Sequence, residues 1–234
     1  MNIKLKTLIF LFFVFSLLNY SFAHEFKKDE INSIISKFIL DNPQVIEKSL
    51  QNLNIKRSKK NFEAVLTELK TIPNPKLKNA NANITIYEFF DYNCGYCKSV
   101  MQNIFNIYKK DKKVDIVFVE YPILSNSSLS AAIASLAARN QNKYFEFHSK
   151  LMKHTGKIED KLLLSFAKEL KIDTKKFKSD YSNEKIMLII NKNREIANRL
   201  NLRGTPAFII GNKIYPGAMS EKDIEKAIAL ERKK

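Results

Sequence analysis

Cysteine is nearly absent from this chain of 234 residues: there are two, Cys94 and Cys97. An exported domain stapled by disulfides carries several pairs at wide spacing. Two cysteines within four residues close almost no loop and constrain the unfolded chain very little. The scarcity therefore argues against a staple and for chemistry. Histidine is equally sparse, at His24, His148 and His154. A structural zinc site needs two ligands beyond a CxxC pair. His148 and His154 do not share a helix face and nothing nearby completes a tetrahedral set, so both read as surface or satisfied core residues. Also missing are an internal repeat, a tight basic patch and a nucleic-acid-binding motif.

Acidic residues are in deficit. Lys and Arg number 40 against 24 Asp and Glu, a formal net charge of +16. The lysines are scattered among Asn and Ile along the whole chain, so the excess reads as compositional bias rather than a nucleic-acid surface. The first residues have a three-part pattern. Lys4 and Lys6 precede an apolar run from Leu8 to Leu18, and Ser21-Phe22-Ala23 supplies the small residues of a cleavage site. The run is short for a membrane span, so residues 1–23 are expected to be a signal peptide cleaved after Ala23, with an uncleaved anchor as the alternative. No cysteine lies near that site to carry a lipid.

Beyond the leader, residues 24–75 are expected to form an N-terminal helical extension. Ile31, Ile34, Ile35, Phe38 and Ile39 recur at helical spacing, and Asp41-Asn42-Pro43 interrupts the run. Asp41 or Asn42 can cap a second helix with Pro43 in its first turn. That helix continues the apolar stripe through Val45, Ile46, Leu50 and Leu53, and again through Phe62, Val65, Leu66 and Leu69, across a solvated stretch at Lys56–Lys60. Ile72-Pro73-Asn74-Pro75 marks a boundary. Residues 84–90 and 114–119 read as buried strands either side of a helix that follows Cys97, a βαβ unit with a parallel pair. Residues 127–203 read as almost wholly helical, starting at Ser127 or Ser128. After them come Ala-Phe-Ile-Ile, Gly211-Asn212 and Lys-Ile-Tyr, a β-hairpin, and a last helix from Glu221 capped by Ser220.

Cys94-Gly95-Tyr96-Cys97 falls where a strand ends and a helix begins. The first cysteine then meets unsatisfied N–H groups and the positive end of the helix dipole, which favour a negative, nucleophilic sulfur. Cys97 lies on the same side of the first turn and can reach back to resolve a mixed disulfide. Thus Cys94 is the candidate nucleophile and Cys97 the resolving thiol. Pro206, in Arg203-Gly204-Thr205-Pro206, stands just before a strand. X–Pro is the one peptide bond that adopts cis cheaply, and a cis bond here would present the Thr205 backbone to a substrate chain. Glu88 interrupts the apolar run Tyr87-Glu88-Phe89-Phe90. Buried without a charge partner it would hold its proton and relay it to or from Cys97. Alternatively it is an edge-exposed strand residue, and Lys113 is a candidate charge partner.

Together, Glu88-Phe89-Phe90 before Cys94-Gly95-Tyr96-Cys97, the helical run and Gly204-Thr205-Pro206 resemble the DsbA-like family of bacterial thiol:disulfide oxidoreductases, from about residue 84 to the C-terminus. The resemblance implies an α/β thioredoxin fold, built from residues 76–126 and 204–234, with a helical insertion domain at 127–203 and the N-terminal helical extension. It also implies a periplasmic enzyme without a bound cofactor, exported client proteins with cysteines as substrates, and a membrane redox partner that recycles the couple. Two features depart from the strongly oxidising members. Gly-Tyr replaces their Pro-His between the cysteines, and Thr precedes the proline, both similar to the disulfide isomerases DsbC and DsbG. The extension resembles the N-terminal segments of ScsC-type members that join protomers, and its apolar stripes fit a homo-oligomer through residues 25–70 as well as docking onto the protein's own core. Oxidation of clients is the expected role, disulfide isomerisation or reduction the close alternative. A non-enzymatic envelope adaptor or holdase is a remote one.

Overall fold

A computed structural model describes residues 27–233; the expected signal peptide, residues 1–23, lies outside the described residues. The chain divides into two units, one up to Lys59 and the other from Lys60 onward.

In the first unit, α1 (Lys28–Asp41) ends where Asn42 closes it, its backbone and side-chain amides both donating to the Phe38 carbonyl at 3.0 and 2.9 Å. Pro43 opens α2 (Pro43–Thr71), as its fixed φ and missing N–H favour. Lys56–Lys60 does not interrupt α2, because straight-chain basic residues are good helix formers even where nothing covers them. None of α1 is buried. Ile34, Phe38, Leu40, Leu50 and Ile55 are all more than half exposed.

The second unit is a five-stranded mixed sheet with helices packed on it. Strands β1 (Lys76–Leu77), β2 (Ile84–Phe90), β3 (Val114–Glu120), β4 (Ala207–Ile210) and β5 (Lys213–Pro216) lie in the order β1-β3-β2-β4-β5. As the βαβ reading requires, β2 and β3 run parallel, in register from Ile84 opposite Val114 to Phe90 opposite Glu120, and α3 (Gly95–Lys110) connects them. On its other side β2 pairs antiparallel with β4, so β2 is central and buried on both faces, which explains its unbroken apolar run. The two-residue β1 has no periodicity to betray it and was not foreseen. The carbonyl of Pro75, just before it, accepts from Phe118 N–H at 2.9 Å and prolongs the pairing. At the hairpin, Gly211 alone takes positive φ (+58°), the first-position requirement of a type II′ turn.

Between β3 and β4 run α4 (Asn126–Arg139), α5 (Tyr144–Lys153), α6 (Asp160–Glu169), α7 (Thr174–Tyr181) and α8 (Glu184–Arg199), and α9 (Glu221–Glu231) follows the hairpin. The last helix starts at Glu221 as expected, with Ser220 as its cap. α4 begins earlier than Ser127, because Ser125 is the cap that accepts from Ser128 N–H at 3.2 Å. The C-terminal part of α2 belongs to this unit. Val65, Leu66 and Leu69 are buried, each contributing about 1.5–3 kcal/mol of apolar burial. Glu68 pairs with Arg199, and Asn61 donates to the Arg199 carbonyl at 3.3 Å.

Candidate active site

Cys94 is the N-cap of α3, at the carboxyl end of β2. Four features of the local sequence put it there. Asp91 closes the strand, the Cys94 N–H turns back to the Asp91 carbonyl (3.1 Å), Gly95 starts the helix with nothing crowding it, and Val100, Met101, Ile104 and Ile107 pull the helix onto the sheet. Lys109 and Lys110 then suit the negative end of the dipole.

Both cysteines are thiols. Cys94 is 7% exposed and Cys97 fully buried, so an incoming sulfur reaches Cys94. The Cys97 N–H donates to the Cys94 Sγ at 3.3 Å, and the Cys94 thiol donates to the Thr205 carbonyl at 3.2 Å. The sulfur thus sits between the mouth of the helix and the residue before Pro206, and the Thr205–Pro206 bond is cis. Residues 111 positions apart in sequence meet at one atom. A groove of about 330 Å³ lined by Leu200, Leu202, Pro206, Ile214 and Gly217 runs from this contact. Tyr96, at 72% exposure, stands out between the cysteines. Burial pushes the Cys97 thiol well above its ordinary range, and Cys94 beside it adds to the rise; the Asp91 backbone and the Thr205 hydroxyl oppose it.

Glu88 is buried in the central strand, with Oε1 lacking any hydrogen-bond partner. Desolvation raises its pKa to about 8. The edge-exposed alternative is thereby excluded. Lys113 is not its partner: Glu88 lies opposite Phe118, five residues beyond Lys113, which just precedes β3, or roughly 16 Å away. By strand alternation Glu88, Phe90, Phe118 and Glu120 share one face of the sheet. Phe105 of α3 packs on that face against Phe118, so Glu88 points into the layer that holds Cys97.

Four polar residues at this end of β2 and β3 escaped the sequence reading. Glu120 is buried, also with a pKa raised to about 8 by desolvation, and accepts from Tyr92 OH (2.9 Å) and Tyr144 OH (2.7 Å). It ends an apolar strand as Glu88 interrupts one, and a lone carboxyl in an apolar run was the available signal. Tyr92 also meets His148 Nδ1 at 3.1 Å, which makes His148 a buried core residue whose pKa burial lowers to about 3. Asp91 and Asn93 flank Tyr92, and both hold the turn before Cys94. Among the described residues no group of three His, Cys, Asp or Glu side chains is arranged to hold a metal.

A dithiol at a helix mouth, facing the residue before a proline on a thioredoxin-type sheet, defines a thiol–disulfide exchange protein. Residues 70–229 match the family described as Thioredoxin, and the chain belongs to it. The probable disulfide bond formation protein D of Bacillus cereus is 30% identical over 168 residues, spanning 66% of this chain and 76% of that one. The thiol-disulfide exchange protein alpha-DsbA2 of Wolbachia pipientis superposes with a TM-score of 0.69 at 29% identity, over 75% of this chain and 96% of its own. A Proteus mirabilis ScsC variant shares the fold over 90% of this chain and 99% of its own (TM-score 0.69, 21% identity). The protein is a thiol:disulfide oxidoreductase.

Proposed function

We propose that the chain oxidises cysteines of exported client proteins through the Cys94–Cys97 couple. The observation that carries this reading is the Cys94 sulfur held between the Cys97 N–H and the Thr205 carbonyl. A client thiolate attacks Cys94 Sγ of the oxidised couple, the Cys94–Cys97 bond breaks, and Cys97 leaves. A second client thiolate then attacks the client sulfur of the mixed disulfide and expels Cys94, so the client gains one disulfide and the protein holds two thiols. Burial favours Cys97 as a protonated thiol, and Glu88, neutral at pH 7, supplies the proton. The client chain lies along the groove beside Thr205 and Pro206. A membrane redox partner takes the two electrons and restores the disulfide. These events belong outside the cytoplasm, in keeping with the leader.

One observation favours isomerase or reductase work instead. The apolar face of α1 and early α2 is uncovered, as a homo-oligomer through residues 25–70 would need. The reduction potential separates the roles: above roughly −150 mV the couple is an oxidant, and nearer about −200 mV an isomerase. The second result, with recovery of a scrambled-disulfide substrate, would overturn the oxidase reading.

A further inference from the structure

The turn that carries Cys94 is tied down more heavily than a helix cap requires. Asp91 is 1% exposed, and its carboxylate accepts three backbone N–H groups. Oδ1 takes Asn93 N–H at 2.7 Å, an ordinary local turn bond. Oδ2 takes Ile123 N–H at 2.8 Å and Leu124 N–H at 3.0 Å, from a loop more than thirty residues away. Nothing in the local turn calls for those two. That loop is itself fixed, because the Pro122 carbonyl accepts from Arg194 Nη2 of α8 at 2.8 Å. Asn93 repeats the connection, its side-chain amide lying within 3.0 Å of the hydroxyls of Ser125, Ser127 and Ser128 at the start of α4. Meanwhile the Asp91 carbonyl accepts the Cys94 N–H. The backbone from which the sulfur hangs is therefore referenced, through one side chain, to the loop after β3 and to α8.

We infer that Asp91 is a positioning residue: its carboxylate fixes the Cys94 turn against the 121–125 loop and thereby sets how readily Cys94 and Cys97 join. Closing a disulfide across the first turn of a helix depends on the effective concentration of one sulfur at the other. That depends on how tightly the turn outside the helix is held. Cys97 is fixed by the packing of α3, whereas Cys94 lies outside the helix and needs this second restraint. Losing it leaves the dithiol able to sample geometries that do not close, and the disulfide becomes easier to reduce.

This inference rests on the exchange reading, and its test is the equilibrium of the full chain with reduced and oxidised glutathione. Asp91→Ala should lower the equilibrium constant for the Cys94–Cys97 disulfide about tenfold, a shift of about 30 mV to a less negative potential. Asp91→Asn keeps the shape but cannot accept at both ends, and should lower it severalfold. If the alanine variant fails to fold, the asparagine variant decides. Phe177→Leu, a core change in α7, serves as the control: equal destabilisation of both redox forms leaves the constant unmoved while lowering Tm. Constants within twofold of the parent for every folded Asp91 variant would overturn the inference. A parent chain that forms no Cys94–Cys97 disulfide at all would instead sink the exchange reading and this inference with it.

Discussion

Raising the pH should destabilise the fold through Glu88, and Glu88→Gln should abolish that part of the loss. In the folded chain Glu88 titrates at about 8, against an ordinary 4.5, and desolvation is the cause. Below 4.5 both folded and unfolded chains hold the proton, and the contribution of the protonated group is fully present. Between the two values only the folded chain binds it, so stability falls by about 1.4 kcal/mol per pH unit. Above 8 both states are ionised and the loss is complete. From about pH 5 to about pH 7.5 the accumulated cost is roughly 3 kcal/mol, a large share of a typical domain's stability. Glu120 has the same sign and a similar raised value, so the parent's slope is about twice that of one group. The assay is urea unfolding of the reduced protein across that pH range, for the parent and E88Q. The stability difference, variant minus parent, should climb by about 1.4 kcal/mol per pH unit. A difference that stays constant would mean that Glu88 is solvated or already ionised, and the proton-relay argument would fall with it.

Cys94→Ser should abolish exchange, whereas Cys97→Ser should still attack a client disulfide, expel one client thiolate and accumulate the mixed disulfide, visible as a reducible adduct by mass spectrometry. The opposite pattern would reverse the assigned roles. Tyr144→Phe removes one of the two phenol donors to buried Glu120 and should cost about 1–3 kcal/mol in urea unfolding, with little effect on the potential of the couple. A chain beginning at Lys60 keeps Val65, Leu66 and Leu69 on the core, so it should fold and keep its cysteine chemistry. Light scattering should find it monomeric whatever the mass of the longer chain, and an unchanged association state would remove the oligomer reading.

Much of this was legible because periodicity and chain chemistry agreed. The strand at 84–90, the helix after the cysteines and the hairpin at Gly211-Asn212 each carry one unambiguous signal. The meeting of Cys94 with Thr205 came from pattern, since no local property of Thr205 announces it. What stayed hidden was the polar wiring. Asp91 and Asn93 look like the turn formers that any strand-to-helix junction attracts, and only the fold brings Ile123, Leu124 and the serines of 125–128 to them. Glu120 was missed because an apolar run seemed to stop at Val119. Yet β3 continues beside Phe90, where two tyrosines from separate segments supply the donors that make the carboxyl tolerable.

The two buried carboxyl groups on this sheet face are alike in titration and differ in their wiring, and that difference assigns their work. Glu120 is bonded to two phenols, and its neighbour Tyr92 touches His148, so any proton it gives up must break a closed buried cluster. Tyr92 and Tyr144 are themselves driven above their ordinary range by burial, so neither accepts or surrenders charge near neutral pH. Such a cluster holds the strand end and the turn before the cysteines in place; it is a fastening. Glu88 has no comparable donor on Oε1, faces the layer containing Cys97, and is neutral at pH 7 because burial desolvates it. A group poised near neutrality with an open oxygen can pass a proton at little cost when a sulfur next to its layer changes charge. On the proposed relay, one strand contributes the fixed carboxyl and its neighbour the transferable one, so the pH response of folding should report both while that of exchange follows Glu88 alone.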